Sequence, residues 1–251
     1  MSRKCQAVAI AGLVVATTLI LLPYSTPYWV SAQDNTENNE TPTVSLKGVS
    51  LFKYGQNGSS WSVKGKNATI TEKVTLVHSF SLFFEEETAG TTSKPGRTLT
   101  LKGKTLQIHK GEYYLKIPGH VEFTQAESLS GNARNAIWRP TDNIISGEQF
   151  QGTLLASSRK GGWSVRGSRF TFNPETDTLN LEKGFQFRAT STEDGKKVKI
   201  SGSHLQWESG GDVVMKGSLK GQINGNWKVN ADEIVWDNSH QRYKGSGSLL
   251  L

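Results

Sequence analysis

One apolar rhythm recurs along this 251-residue chain and limits what it can fold into. Trp61-Ser62-Val63-Lys64-Gly65 returns as Trp163-Ser164-Val165-Arg166-Gly167, and more loosely as Trp227-Lys228-Val229-Asn230-Ala231. A two-residue gap follows each copy, and then an apolar pair: Ala68 and Ile70, Phe170 and Phe172, Ile234 and Trp236. Two copies lack the leading Trp: Leu99, Leu101, Gly103, Leu106, Ile108 and Val198, Ile200, Gly202, Leu205, Trp207. Alternation with period two makes each half a strand with one apolar face. The small residue between the halves marks a bend or bulge, where a Cβ would be in the way. A unit that cannot bury its own face must stack on its neighbours, so the apolar faces join into one interior.

Gly is abundant at 26 residues and Met is scarce at 2, which suits a β-rich chain with many turns. The formal net charge is +7, compatible with a polyanionic partner or with a plain solvated surface. Cys5 is the only cysteine, so no disulfide framework or cysteine metal site is expected. His78, His109, His120, His204 and His240 are scattered without the close pairing of a zinc site.

Arg3 and Lys4 precede an apolar run from Ala7 to Leu22, and Tyr24, Tyr28 and Trp29 follow it. A signal peptide cleaved after Val30-Ser31-Ala32 is one reading. A single membrane anchor over 7–30, with aromatics at the far interface, is the other and preferred one. Either places the body of the chain outside the cytoplasm. Residues 1–6 form a basic cytoplasmic flank, and the polar, acidic segment 31–47 reads as a tether.

Beyond it, turn signals every eight to twelve residues predict an all-β fold. The expected architecture is an elongated open roll of stacked antiparallel strands, with a two-domain sandwich as the alternative. Residues 48–123 read as a first half and 149–251 as a second. Tyr113 to Ile117 and Val121 to Phe123 read as paired strands around Pro118-Gly119. Residues 124–148 lose the alternation and are expected to be an irregular crossover. The chain stops in strand-like sequence, Ser246 to Leu251, which leaves a potential open edge.

The anchor, the tether, the Trp-x-Val-x-Gly-x-x-Φ-x-Φ strands (Φ apolar) and segments such as Ile117-Pro118-Gly119-His120-Val121 resemble the LptC family of lipopolysaccharide-export proteins. More broadly they resemble the OstA-like β-jellyroll group that includes LptA. The resemblance covers roughly 48–123 and 149–251, although this chain is longer than a single-jellyroll LptC. It implies a twisted V-shaped jellyroll holding lipopolysaccharide acyl chains between its sheets. It also implies a relay at the inner membrane, with the β domain in the periplasm. Lipid would come from an ABC transporter and pass to an LptA-like protein by strand-edge pairing.

On that reading an apolar trough is lined by Trp61, Val63, Ile70, Phe80, Leu99, Leu101 and Ile108. Its second half adds Trp163, Val165, Phe172, Ile200, Trp207, Trp227, Val229 and Trp236. The plainer reading is that these residues simply pack a core. Lys64, Lys66, Arg166 and Arg169 would form a basic rim for lipid phosphates, against the plainer reading of a soluble strand face. The strand around 246–251 is the expected downstream contact, and that around 49–54 the transporter side. No nucleophile elbow, phosphate loop or metal-ligand spacing points to an enzyme, a cofactor or a metal. A nucleic-acid partner does not suit an exported chain. An exported glycan-binding or envelope-scaffold protein, with Trp61, Trp163 and Trp227 stacking on sugars, is the alternative.

Overall fold

The computed structural model describes residues 44–54, 59–86, 98–111, 114–125, 128–155, 162–190, 195, 197–225, 227–237 and 242–250. The anchor segment 7–30 therefore lies outside the described residues. Among the described residues no helix is long and apolar enough to cross a membrane.

Fourteen strands form one antiparallel sheet. They are β1 (Val44–Tyr54), β2 (Ser59–Ile70), β3 (Val74–Glu86), β4 (Thr98–His109), β5 (Tyr114–Gln125), β6 (Leu129–Arg139) and β7 (Ile144–Leu155). There follow β8 (Gly162–Asn173), β9 (Thr178–Thr190), β10 (Lys197–Gly202), β11 (His204–Glu208), β12 (Val213–Ile223), β13 (Trp227–Asp237) and β14 (Arg242–Leu250). Neighbours in sequence pair in space, and β10 and β11 are two lengths of one line between β9 and β12, broken at Ser203. β1 pairs with β2 and β14 with β13, so the sheet is not a closed barrel.

The two-residue gap of the repeat is where the strands bend. In β2, Val63 and Gly65 face inward, Lys66 and Asn67 both face out, and Ala68 is again buried. Two outward residues in succession reverse the parity of the alternation, so both ends of one strand present apolar residues to the same side. The same slip occurs at His78-Ser79 in β3, Arg134-Asn135 in β6, Glu148-Gln149 in β7 and Ser168-Arg169 in β8. The pairing registers skip at these points: Gly65 lies opposite Phe80 and Asn67 opposite His78, while Phe80 lies opposite Gly103 and His78 opposite Thr105. The bends thus align into a crease running across the sheet and dividing it into two walls. Wall A holds, for example, residues 59–65 of β2 and 80–86 of β3; wall B holds 67–70 and 74–78.

Left-handed backbone marks the crease: Ser79 (φ 50°), Asn135 (52°), Gln149 (51°), Lys183 (57°) and Ser218 (49°), with Gly48, Gly119 and Gly217 in equivalent places. Such a conformation costs a non-glycine residue about 1–2 kcal/mol, so the bend is held by the surrounding pairing. At one crossing Asn135 ties three strands together: its Oδ1 accepts from the Gly119 N–H (3.0 Å), and its Nδ2 donates to Glu148 Oε2 (3.2 Å).

Aromatic contacts show that the walls fold onto each other. Trp61 of β2 meets Trp138 of β6 with ring centroids 6.2 Å apart, and Phe84 of β3 meets Trp138 at 5.6 Å. Phe123 of β5 meets Phe170 of β8 at 5.3 Å, and Trp163 of β8 meets Trp236 of β13 at 6.0 Å. In a flat sheet, three or four strands apart means roughly 14–19 Å. Every one of these pairs joins wall A of one strand to wall B of a strand three or four places later, so the sheet rolls obliquely.

Two expectations are corrected here. Residues 124–148 are not an irregular crossover: they hold the end of β5, all of β6 and the start of β7, and the sheet runs unbroken through them. The strand β6 is hard to see because its inward positions are largely small (Gly131, Ala133, Ala136) before Trp138. Nor do Tyr113–Ile117 and Val121–Phe123 form a hairpin. Tyr114–Ile117 and Val121–Phe123 belong to the one strand β5, bent at Pro118-Gly119. The ladder is interrupted there, between Ile117 and His120 on one side and Gly103 and Gln107 on the other. A proline without an N–H therefore breaks no ladder bond.

Candidate functional site: the rolled interior and its lip

The interior has little spare room. Beside the crease a glycine on one strand faces a large ring on the next: a Cβ on Gly147 would lie 2.6 Å from Phe170, and one on Gly103 2.8 Å from Phe80. Phe150 and Phe170, which directly follow the outward pairs of β7 and β8, cluster there with Phe123. Further along wall A a Cβ on Gly131 would lie 2.6 Å from the Gln151 carbonyl oxygen and 2.7 Å from Gly152 Cα, so β6 and β7 approach there only as glycines. At the strand ends the walls meet again through Trp138 and Trp236. Ser128, just before β6, donates its hydroxyl to Asp177 Oδ1, just before β9, at 3.1 Å, and both are buried. We call this line of closure the lip.

Of the residues expected to line a trough, Val63, Phe80, Leu99, Leu101, Trp163, Val165, Phe172, Ile200, Trp207 and Trp236 are buried inside the roll. Trp61, Ile70, Ile108 and Val229 also point inward but are half-buried. Trp227 begins β13, and its side chain lies outside what is described.

The half-buried inward residues follow a pattern. Leu46, Leu51, Trp61, Ile70 and Ile108 belong to β1–β4, and Ile223, Val229 and Ala231 to β12–β13. An oblique roll explains Leu46, Ile70 and Ile108 on wall B of the first strands and Ile223, Val229 and Ala231 on wall A of the last, which have no opposing wall; Leu51 and Trp61 lie instead on wall A beside the first edge. The apolar interior is closed in the middle and uncovered at both ends.

The four basic residues do not edge the interior. Lys64 and Arg166 alternate with inward neighbours, and Lys66 and Arg169 are themselves in the outward pair of the crease. All four lie on the outer face beside the crease, not at the strand ends. Lys64 Nζ stands 6.0 Å from the centre of the exposed Phe83 ring, and Arg169 lies across from Glu148 and Glu182.

The lip carries a feature that the sequence did not advertise. Among the described residues, six buried side-chain polar atoms have no hydrogen-bond partner: His109 Nε2, Gln125 Oε1, Trp138 Nε1, Asn143 Oδ1, Trp207 Nε1 and Trp236 Nε1. Each such atom costs about 1–3 kcal/mol. All six sit at a strand end or in the turn beside one, and none is at the crease. Five are on the wall B side, and only Gln125 is on the wall A side. Trp138 was missed as an inward residue; the signal was there, since Ala133-x-x-Ala136-x-Trp138 follows the repeat with small residues in place of large ones.

Among the described residues, no three His, Cys, Asp or Glu side chains are grouped to hold a metal ion. No family model matches the chain. It is similar to an uncharacterized protein of Aquifex aeolicus (strain VF5), 22% identical over 152 residues, which is 57% of this chain and 87% of that protein.

Proposed function

We propose that this chain is a β-jellyroll lipid-transfer protein of the envelope, which holds the acyl chains of lipopolysaccharide in its rolled interior. The observation that carries the reading is the interior itself: one continuous apolar core between two walls, with inward residues left half-buried toward both ends of the roll. Each methylene moved from water into such an interior contributes about 0.8 kcal/mol, so a multiply acylated lipid gains strongly from it. The walls meet at the lip mostly by ring contacts, whose separation breaks no backbone ladder.

The outer edges of β1 and β14, which pair with no further strand among the described residues, serve the relay. A partner strand added to either edge extends the sheet and supplies the opposing wall that the end strands lack. In this proposal β1 faces an inner-membrane ABC transporter and β14 an LptA-like periplasmic protein. The N-terminal segment anchors the chain in the inner membrane. No catalytic step and no cofactor is part of the reading. The glycan-binding alternative is weakened by Trp163, which at 3% exposure offers no face to a sugar ring.

The reading is tested by purifying the full chain in mild detergent and analysing the organic extract by mass spectrometry. Lipid A in near-stoichiometric amount is expected. An extract with no lipid, or with only the bulk phospholipid mixture, overturns it.

A further inference from the structure

We infer that the lip is a hydrogen-bonding subsite for the carbonyl oxygens of an acyl linkage, so that the interior selects ester- or amide-linked chains over plain alkyl chains. The inference rests on the lipid-holding reading above and adds to it the chemistry of the linkage. Trp138, Trp207 and Trp236 occupy equivalent places: each is the last inward residue before the wall B end of its strand. Each ring is at most 1% exposed, and each indole N–H is unpartnered. An indole nitrogen is a donor only, so what answers it must be an acceptor. Buried indole N–H groups ordinarily find a partner, and three failures at the same end of β6, β11 and β13 mark a rim rather than an accident.

The position of the row defines the ligand. Inward of it, toward the crease, the walls are apolar: Phe123, Phe150, Phe170 and Leu181 surround any chain that enters. Outward of it the strands end in turns. An acceptor at that boundary, attached to an apolar tail on one side and a polar group on the other, describes an acyl ester or amide carbonyl. A dialkyl ether has the same tails but far weaker acceptors. A site built to hydrogen-bond a group discriminates against the analogue lacking it, because its buried donors are then left unpaired.

The test is a competition between two probes, dipalmitoyl phosphatidylglycerol and its dihexadecyl ether counterpart, for the full chain in detergent, read by native mass spectrometry. The wild type is expected to retain the ester over the ether by about fivefold to tenfold. The variant W138F/W207F/W236F is expected to bind both at a ratio near one. Should three Phe substitutions disturb folding, 3-benzothienylalanine at the same positions removes the N–H while keeping the ring volume. F83L, on the exposed outer face, is expected to keep the preference. Equal retention of ester and ether by the wild type overturns the inference while leaving the lipid-holding reading intact. A preference that survives loss of the three N–H groups, or that F83L abolishes, overturns it as well. Binding of neither probe overturns the inference, and lipid A in the organic extract then decides the lipid-holding reading by itself.

Discussion

The crease and the lip are the two places where the walls come together, and they are built on opposite principles. At the crease the backbone does the work. Glycines such as Gly103 and Gly147 leave room for Phe80 and Phe170, and residues such as Ser79 and Gln149 accept a left-handed conformation to turn the chain. The outward pair at each bend is polar, and the ladder resumes on either side. At the lip the side chains do the work. Large rings meet across the gap, one buried hydrogen bond links Ser128 to Asp177, and six polar atoms are left unanswered. A joint made of backbone is permanent, whereas one made of ring contacts with unspent donors is suited to opening. On the proposed function, ligand entry belongs at the lip or at the half-buried ends.

The contrast predicts graded effects. The largest is expected beside the crease, where Phe170 joins Phe123 and Phe150 across the two walls. Phe170→Ala should lower stability in urea unfolding by about 3–5 kcal/mol, and a loss below 1 kcal/mol would mean that the walls are not packed there. Gly131→Ala comes next. Its Cβ meets backbone rather than a movable side chain, so thermal unfolding should report a loss of about 1–3 kcal/mol. Ser128→Ala removes a lip bond and leaves Asp177 with one partner fewer. A loss of about 1 kcal/mol, seen as faster local hydrogen exchange in the 125–129 and 176–178 segments before global unfolding, is expected. Exchange that speeds equally across the crease would erase the distinction between the two joints. The smallest effect has the opposite sign. Gln149→Gly relieves left-handed strain at the crease and should raise stability by about 0.5 kcal/mol after the added chain entropy.

The strands with large inward residues were legible from sequence because their rhythm is written in Trp, Val, Leu and Phe. Even the bend was legible, as the two-residue gap after Gly65, Gly103 and Gly167. What hid was written in small residues. β6 obeys the same rhythm, but Gly131, Ala133 and Ala136 carry little hydrophobic signal, and at Gly131 the β7 backbone leaves no room for a larger residue. Pro118-Gly119 looked like a hairpin turn because the same residues that end strands elsewhere also bend them here. The outer-face position of Lys64, Lys66, Arg166 and Arg169 follows from parity once the bend is known, and a list of nearby charges does not reveal it. The row of unpartnered donors was out of reach altogether. It depends on which rings end up buried at the lip, a property of the oblique roll that no local pattern encodes.

The central claim, that the interior of the roll holds acyl chains, is tested most directly on β8, where two adjacent residues face opposite ways. Val165 is fully buried inside, and Arg166 is exposed on the outer face. A photoreactive benzoylphenylalanine is placed at one or the other in the full-length chain in living cells. After irradiation, the protein is blotted for lipopolysaccharide. The account predicts an adduct from position 165 and none from position 166. No adduct at 165 from a folded, exported protein, or equal adducts at both, would contradict it.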